Sequence, residues 1–293
     1  MAASRPLAAA LWMTGSIAGF TALAVAGRQI GPALDTFEMM LYRSAIGFVL
    51  VAAFALASGR RAEIGTDRLG THAARNLVHF AGQNLWLYAL GLIPLAQLFA
   101  LEFSTPLFVA LLAPLLLGER ATPARLLTTL LGFAGVLIVA RPFAAGGLAP
   151  GALVALASAL CFAATAIVTK RLTRIATVTG ILFWLTLMQT GFALAAAGWD
   201  GRIRLPDAAL LPWVLLLGLS GLAAHVGLTK ALSLAPATVV TPLDFLRLPV
   251  IAVVGWAAYA EGFDPYVLLG GAVIFAANWI GLRAETRVRG ATA

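Results

Sequence analysis

Apolar stretches of about 20 residues, divided by short segments rich in Gly, Pro and Arg, run the length of this chain. Their limits predict ten spans, near 8–27, 36–58, 73–92, 95–117, 124–140, 151–169, 178–198, 210–231, 236–259 and 265–282. Each is long enough to cross a hydrocarbon core of roughly 30 Å as a helix. Barrel strands do not fit, because apolar and polar positions fail to alternate, and lipid leaves a spanning backbone no third option. The linkers are short, as antiparallel neighbours require; the longest are Gly59–His72, which is basic, and Trp199–Ala209, with two Arg and two Asp.

The pattern also repeats. Adding 142 carries Ala89–Arg141 onto Ala231–Arg283, with identities that include Pro94/Pro236, Phe103/Phe245, Glu119/Glu261, Pro123/Pro265 and Arg141/Arg283. The matched Pro, Glu and Arg align without a gap, so a duplicated unit explains them better than shared hydrophobicity. The duplication predicts halves at 1–142 and 143–293. Five spans per half is an odd number, so the second copy crosses in the opposite direction. The predicted fold is an all-α polytopic membrane protein, ten transmembrane helices as two inverted five-helix repeats. Ala24-Val-Ala26 before Gly27 resembles a signal-peptide cleavage site, but Phe20, Ala22 and Ala24 recur as Phe162, Ala164 and Ala166, so the first span is expected to be retained.

Composition agrees: 61% of 293 residues are hydrophobic and 11% charged. The net charge of +8 does not indicate nucleic acid, because the arginines sit at span ends rather than in a patch. With the N-terminus cytoplasmic, Arg5, Arg60, Arg61, Arg68, Arg75, Arg120, Arg125, Lys170, Arg171, Arg174, Lys230, Arg283, Arg287 and Arg289 fall inside. Arg28, Arg141, Arg202 and Arg204 fall outside, and Arg43 and Arg247 lie within spans. The excess of basic residues inside places both termini in the cytoplasm. The single Cys161 excludes a disulfide framework and a thiolate metal site.

Polar side chains within spans each need a partner, a cavity or a role. Asn76, His79, Gln83 and Trp86 follow 3-4-3 spacing on one face of span 3. That face reads equally as a helix–helix hydrogen-bond seam or as a cavity wall. Glu102 and Asp244 are repeat partners in spans 4 and 9; they suit a cation or proton site, or ion pairs with Arg43 and Arg247 respectively. For Asp244 the i+3 pair with Arg247 is preferred, whereas Glu102 has no local partner and favours a functional role. His225, the repeat partner of Gln83, shares span 8 with Thr229, Lys230 and Ser233. Trp12, Phe99 and Trp184 are candidates to stack on a solute or to anchor in the interface. Pro94, Pro106, Pro236, Pro242 and Pro249 cluster in spans 4 and 9 and their lead-ins, where interruptions at matching places mark a binding site. Gly15, Gly19, Ala155, Ala159 and Ala163 permit close packing of spans 1 and 6.

The fourth span ends in Gly118-Glu119, followed by Thr122-Pro123 and Leu131-Gly-Phe-Ala-Gly135-Val-Leu; the second half keeps Glu261 and Pro265 but has Ala260 and Ala277 for the glycines. With two five-span halves, this resembles the drug/metabolite transporter superfamily, its EamA-type branch, and within it bacterial inner-membrane exporters of amino acids, aromatic ones included. The resemblance implies alternating access to a central cavity lined by spans 1, 3, 4, 6, 8 and 9. His79, Gln83, Trp86, Phe99, Glu102, His225 and Asp244 are expected there as substrate-binding residues. Glu102 would accept a substrate ammonium, with Gln83 and His79 at the carboxylate end.

The expected function is secondary export of amino acids or similar metabolites across the inner membrane, by a monomer that needs no cofactor or metal. Organic-cation efflux on the same fold is the alternative, since a free Glu102 and aromatic walls suit cations. An intramembrane enzyme is disfavoured: HExxH and GxSxG are absent, and three His with one Cys are a thin supply. ATP-driven pumping is disfavoured by the missing GxxxxGK[ST].

Overall fold

Membrane helices gain little from apolar contact alone, so their packing depends on small residues and on polar groups satisfied between them. The computed structural model of the protein describes residues 6–117, 123–141, 148–172, 175–234, 240 and 243–291. Among these residues the chain is helical with no strand. The helices are α1 (Pro6–Ile30), α2 (Thr36–Ala57), α3 (Leu69–Leu92), α4 (Leu95–Glu102), α5 (Thr105–Leu117) and α6 (Pro123–Ala140). The second half continues with α7 (Pro150–Leu172), α8 (Val178–Ala197), α9 (Leu211–Leu234), α10 (Arg247–Tyr259) and α11 (Pro265–Ala291). Gly118, Glu119, Thr122, Pro236 and Pro242 lie outside the described residues, as do the side chains of Thr229 and Ser233.

Local chemistry sets the ends. Asp35 caps α2, accepting from the backbone N–H of Phe37 (2.8 Å) and Glu38 (2.9 Å), while Glu38 accepts from the Asp35 N–H (3.0 Å). The other Glu38 oxygen accepts from the Arg204 N–H (2.7 Å) and ties the 199–209 linker to α2. Pro123, Pro150 and Pro265 stand first in α6, α7 and α11, where a missing N–H loses no hydrogen bond.

The predicted fourth span is two helices, not one. Pro106 cannot donate to the Glu102 carbonyl four residues back, and α4 stops at Glu102. Thr105 Oγ1 donates to that carbonyl instead (2.7 Å), Ser104 Oγ to Leu101 (2.6 Å), and Asn278 of α11 to the Phe103 carbonyl (3.2 Å). The ninth span turns at Phe245–Leu246, 142 residues on from the break at Phe103–Ser104.

Pairing across the molecule obeys the repeat. The principal packing partners are α1 with α9, α3 with α7, α2 with α8 and α6 with α11, each joining one half to the other. Ser16 of α1 donates to the Ala224 carbonyl (3.0 Å), and Ser158 of α7 donates to the Gly82 carbonyl (2.9 Å). The two bonds are one bond made twice, since Ser16/Ser158 and Gly82/Ala224 are repeat partners. Phe103 and Phe245 stack on each other at 4.3 Å and 20°. A residue touches its own symmetry mate only near the axis, so this stack locates the pseudo-two-fold.

Among the described residues, six helical stretches are long and apolar enough to cross a membrane, and three more are apolar but shorter. The tenth, α3, falls below that mark because it carries His72, Arg75, Asn76, His79, Gln83 and Asn84. Apolar side chains face outward, Leu7 at 77% and Leu115 at 79% exposure, while Asn76, Ser16 and Ser158 are fully buried. Lipid contact explains this inversion.

A Cβ on Gly135 would stand 2.8 Å from the Gly270 carbonyl oxygen and 3.0 Å from the Ile274 nitrogen, both backbone atoms of α11. Gly135→Leu is therefore expected to destabilise the protein by about 2 kcal/mol, read as a lowered unfolding midpoint in detergent. Gly15→Ala, with nothing within 4 Å, is the matched control and should leave the midpoint unchanged or raised.

Candidate solute site at the helix breaks

The break in the fourth span ends α4 at Glu102, and the break in the ninth places Asp244 beside Arg247, the first residue of α10. Arg247 is 4% exposed and reaches both carboxylates through Nη2, at 3.3 Å from Glu102 Oε1 and 3.2 Å from Asp244 Oδ2. Trp86 Nε1 donates to the second Glu102 oxygen (2.8 Å). The guanidinium also lies over three rings, Phe20 at 4.5 Å, Phe99 at 5.0 Å and Phe103 at 5.1 Å. Water-poor surroundings make such cation–π contacts stronger than at a surface. One cation thus holds two acids from opposite halves inside an aromatic box. Asp244 Oδ1 and Arg247 Nε are buried without a hydrogen-bond partner among the described residues.

The expected pair of Asp244 with Arg247 is present. The expectation that Glu102 lacks a partner is overturned, because Arg247 comes from another helix and sequence distance hides it. The ion pair of Glu102 with Arg43 does not form. Arg43 points instead to Gln83, whose amide satisfies its neighbours in one orientation: its oxygen accepts from Arg43 and from His79 Nε2 (3.3 Å), and its nitrogen donates to Gln189 Oε1 (2.8 Å).

The predicted face of α3 therefore holds together. Asn76 Nδ2 donates to the Trp184 carbonyl (3.0 Å), His79 packs beside Phe162 (5.6 Å), and Trp86 meets Phe99 edge-to-face (5.7 Å). His225 lies edge-on to Phe20 (5.4 Å), which in turn covers Arg247. Phe99 is fully buried. The aromatics Trp12 and Trp184 are not brought to this cluster's contacts: Trp12 is 43% exposed, and Trp184 Nε1 donates to the Gly65 carbonyl (2.8 Å) in the linker before α3. Both fit interface anchoring.

Sequence reasoning missed Gln189, Arg75 and the bridging role of Arg247. Gln189 was detectable as an amide within an apolar span. Arg75 counts with the cytoplasmic cations above, yet it is 8% exposed inside α3 and donates to Asn76 Oδ1 (2.7 Å) and Thr169 Oγ1 (3.0 Å). It belongs with the within-span cations Arg43 and Arg247.

One end of the molecule is locked. Glu261 pairs with Arg28 of α1 and accepts from the Leu95 N–H of α4 (2.8 Å). Arg28 also donates to the carbonyls of Leu90 (Nε, 3.0 Å) and Ile93 (2.6 Å), and Arg141 pairs with Asp264 nearby. The two ion pairs tie α1 and the end of α6 to the 260–264 linker, and the hydrogen bonds add the end of α3 and the start of α4.

Comparison with known proteins agrees with this architecture. A model of the EamA-like transporter family matches residues 7–141 and 149–281. A riboflavin transporter of Rhizobium johnstonii is 32% identical over 97% of this chain and 94% of its own. An S-adenosylmethionine uptake transporter of Rickettsia bellii is 27% identical over 94% of each chain. A solved crystal structure superposes with a TM-score of 0.66 at 20% identity, covering 96% of this chain and 98% of that one, which bears on fold alone.

Removing the shared cation should unpair both acids. Arg247→Met is expected to cost about 3–5 kcal/mol, and adding Glu102→Gln with Asp244→Asn should restore most of it. Unfolding of the single and triple variants in detergent measures this; a single variant as stable as the parent would refute the assignment.

Proposed function

The chain belongs to the EamA-like transporter family, and from that premise we propose that it moves small polar metabolites across the bacterial inner membrane by alternating access. The carrying observation is that both symmetry-related helix breaks meet at one polar, aromatic-lined cluster between the halves. The duplicated units are 1–142 and 143–293. The moving bodies are the cross-half pairs α1–α9 and α3–α7, which the inverted repeat exchanges and which pack within each pair far more than between them. Rocking of one pair against the other opens the site to each side in turn. The Arg28–Glu261 lock keeps one end shut in this conformation.

We place His79, Gln83, Trp86, Phe99, Glu102, His225 and Asp244 in the solute site. Glu102 acts there as a paired acid that fixes Trp86 and Arg247, not as an ammonium acceptor. That change favours acceptor-rich solutes over organic cations. It supports flavin-type heteroaromatics, the class named for the Rhizobium relative, ahead of amino acids, which retain a partner only for their carboxylate end. The name of the Rickettsia relative includes uptake, so we read the carrier as reversible, with direction set by gradients rather than as an obligate exporter. Both termini lie in the cytoplasm, the protein acts as a monomer, and the locked end faces outward.

Counterflow in proteoliposomes preloaded with riboflavin, S-adenosylmethionine, an aromatic amino acid or an organic cation tests this reading. Saturable riboflavin exchange without cation exchange is expected; exchange of the cation alone would instead establish efflux of cationic compounds. On a Cys161→Ser background, Arg202→Cys should react with a membrane-impermeant maleimide in intact cells. Reaction only after lysis would invert the topology.

A further inference from the structure

The cluster at Arg247 sets one guanidinium against two carboxylates, and with Arg43 and Arg75 the three cations exceed the two acids by one formal positive charge. Arg75 is 8% exposed and Arg43 is half-buried, and among the described residues neither has a carboxylate within ion-pair distance. Arg43 is met by the neutral oxygen of Gln83 and by Met40 Sδ (3.7 Å); Arg75 by the neutral oxygens of Asn76 and Thr169. Amide and hydroxyl dipoles solvate a guanidinium without neutralising it, and an uncompensated charge within hydrocarbon is costly. Arg75 and Gln83 stand eight residues apart on α3, about 12 Å along its axis. They frame a ladder that also contains His79, whose Nδ1 is buried without a hydrogen-bond partner. His225 lies in the electrostatic field of both arginines and of Arg247.

We propose that Arg43 and Arg75, with His79, Gln83 and Gln189, form a subsite for an anionic group of the solute, a carboxylate or a phosphate. The inference rests on the reading of this cluster as the solute site and names the charge that it selects. A carboxylate or phosphate supplies the missing counter-charge and can accept from a guanidinium in the fork geometry that Gln83 occupies with one oxygen. An uncharged dicarbonyl supplies the acceptors without the charge. Sequence duplication supports a dedicated role: the repeat partners of Arg43, Arg75 and Gln189 are Leu185, Leu217 and Gly47, so packing symmetry does not require these polar groups.

The test is equilibrium binding to purified protein in detergent with probes matched in shape and unlike in charge. The pairs are riboflavin 5′-phosphate against riboflavin, and phenylpropionate against phenylpropionamide. The anionic member should bind at least about tenfold more tightly, the worth of one charge-assisted hydrogen bond. Arg43→Gln and Arg75→Gln should each erase most of that preference, while Arg43→Lys and Arg75→Lys keep part of it; unfolding midpoints verify that each variant is folded. Equal binding of both members, a preference that survives both Gln substitutions, or no binding by any probe would overturn the subsite. Because selectivity is read on the parent protein without transport, its failure is separate from a failure of counterflow.

Discussion

Two helices of this protein break inside hydrocarbon, and each break leaves an acid at its edge. Glu102 and Asp244 come from opposite halves, and the single guanidinium of Arg247 satisfies both at 3.3 and 3.2 Å. Neither acid would be tolerable alone in that medium, and neither would the cation. Three phenylalanine rings and Trp86 close the box around them. The freed backbone carbonyls at the first break are taken by Ser104, Thr105 and Asn278. Local failure of the helix is thus compensated by tertiary contacts, and a polar centre survives in the middle of an apolar bundle.

Around that centre the two halves are alike in packing and unlike in chemistry. Ser16 and Ser158 make the same hydrogen bond in mirrored places, and Phe103 stacks on its own repeat partner. Such symmetry allows two conformations of similar energy related by exchange of the halves, which is the requirement for opening to either side. The central arginines do not follow it. Arg43 corresponds to Leu185 in the other copy, and Arg247 to Thr105. One asymmetric set of side chains therefore sits within a framework of symmetric helix packing.

The helix that bears most of these groups is not among the clearly apolar spans, because His72, Arg75, Asn76, His79, Gln83 and Asn84 dilute it. Its polar face is covered by α7 and α8 rather than by lipid, through bonds such as Asn76 to the Trp184 carbonyl. That arrangement reconciles a buried arginine with a spanning helix.

The ten spans, the duplication and the inverted halves were legible in the sequence, because lipid imposes length and apolarity locally and a fixed offset of 142 needs no partner information. So was the polar face of α3, since helical spacing alone aligns Asn76, His79, Gln83 and Trp86. A relative 32% identical to this chain is named for riboflavin, and residue spacing along the chain does not distinguish among small polar solutes. Tertiary structure decided the pairings: Glu102 reads as unpartnered along the chain and lies against Arg247, 145 residues away. It moved Arg75 from a cytoplasmic end into the core and joined Gln83 to Arg43 and Gln189. Charge compensation in a low-dielectric interior acts through space at a few ångströms, so only the packed helices determine which groups meet.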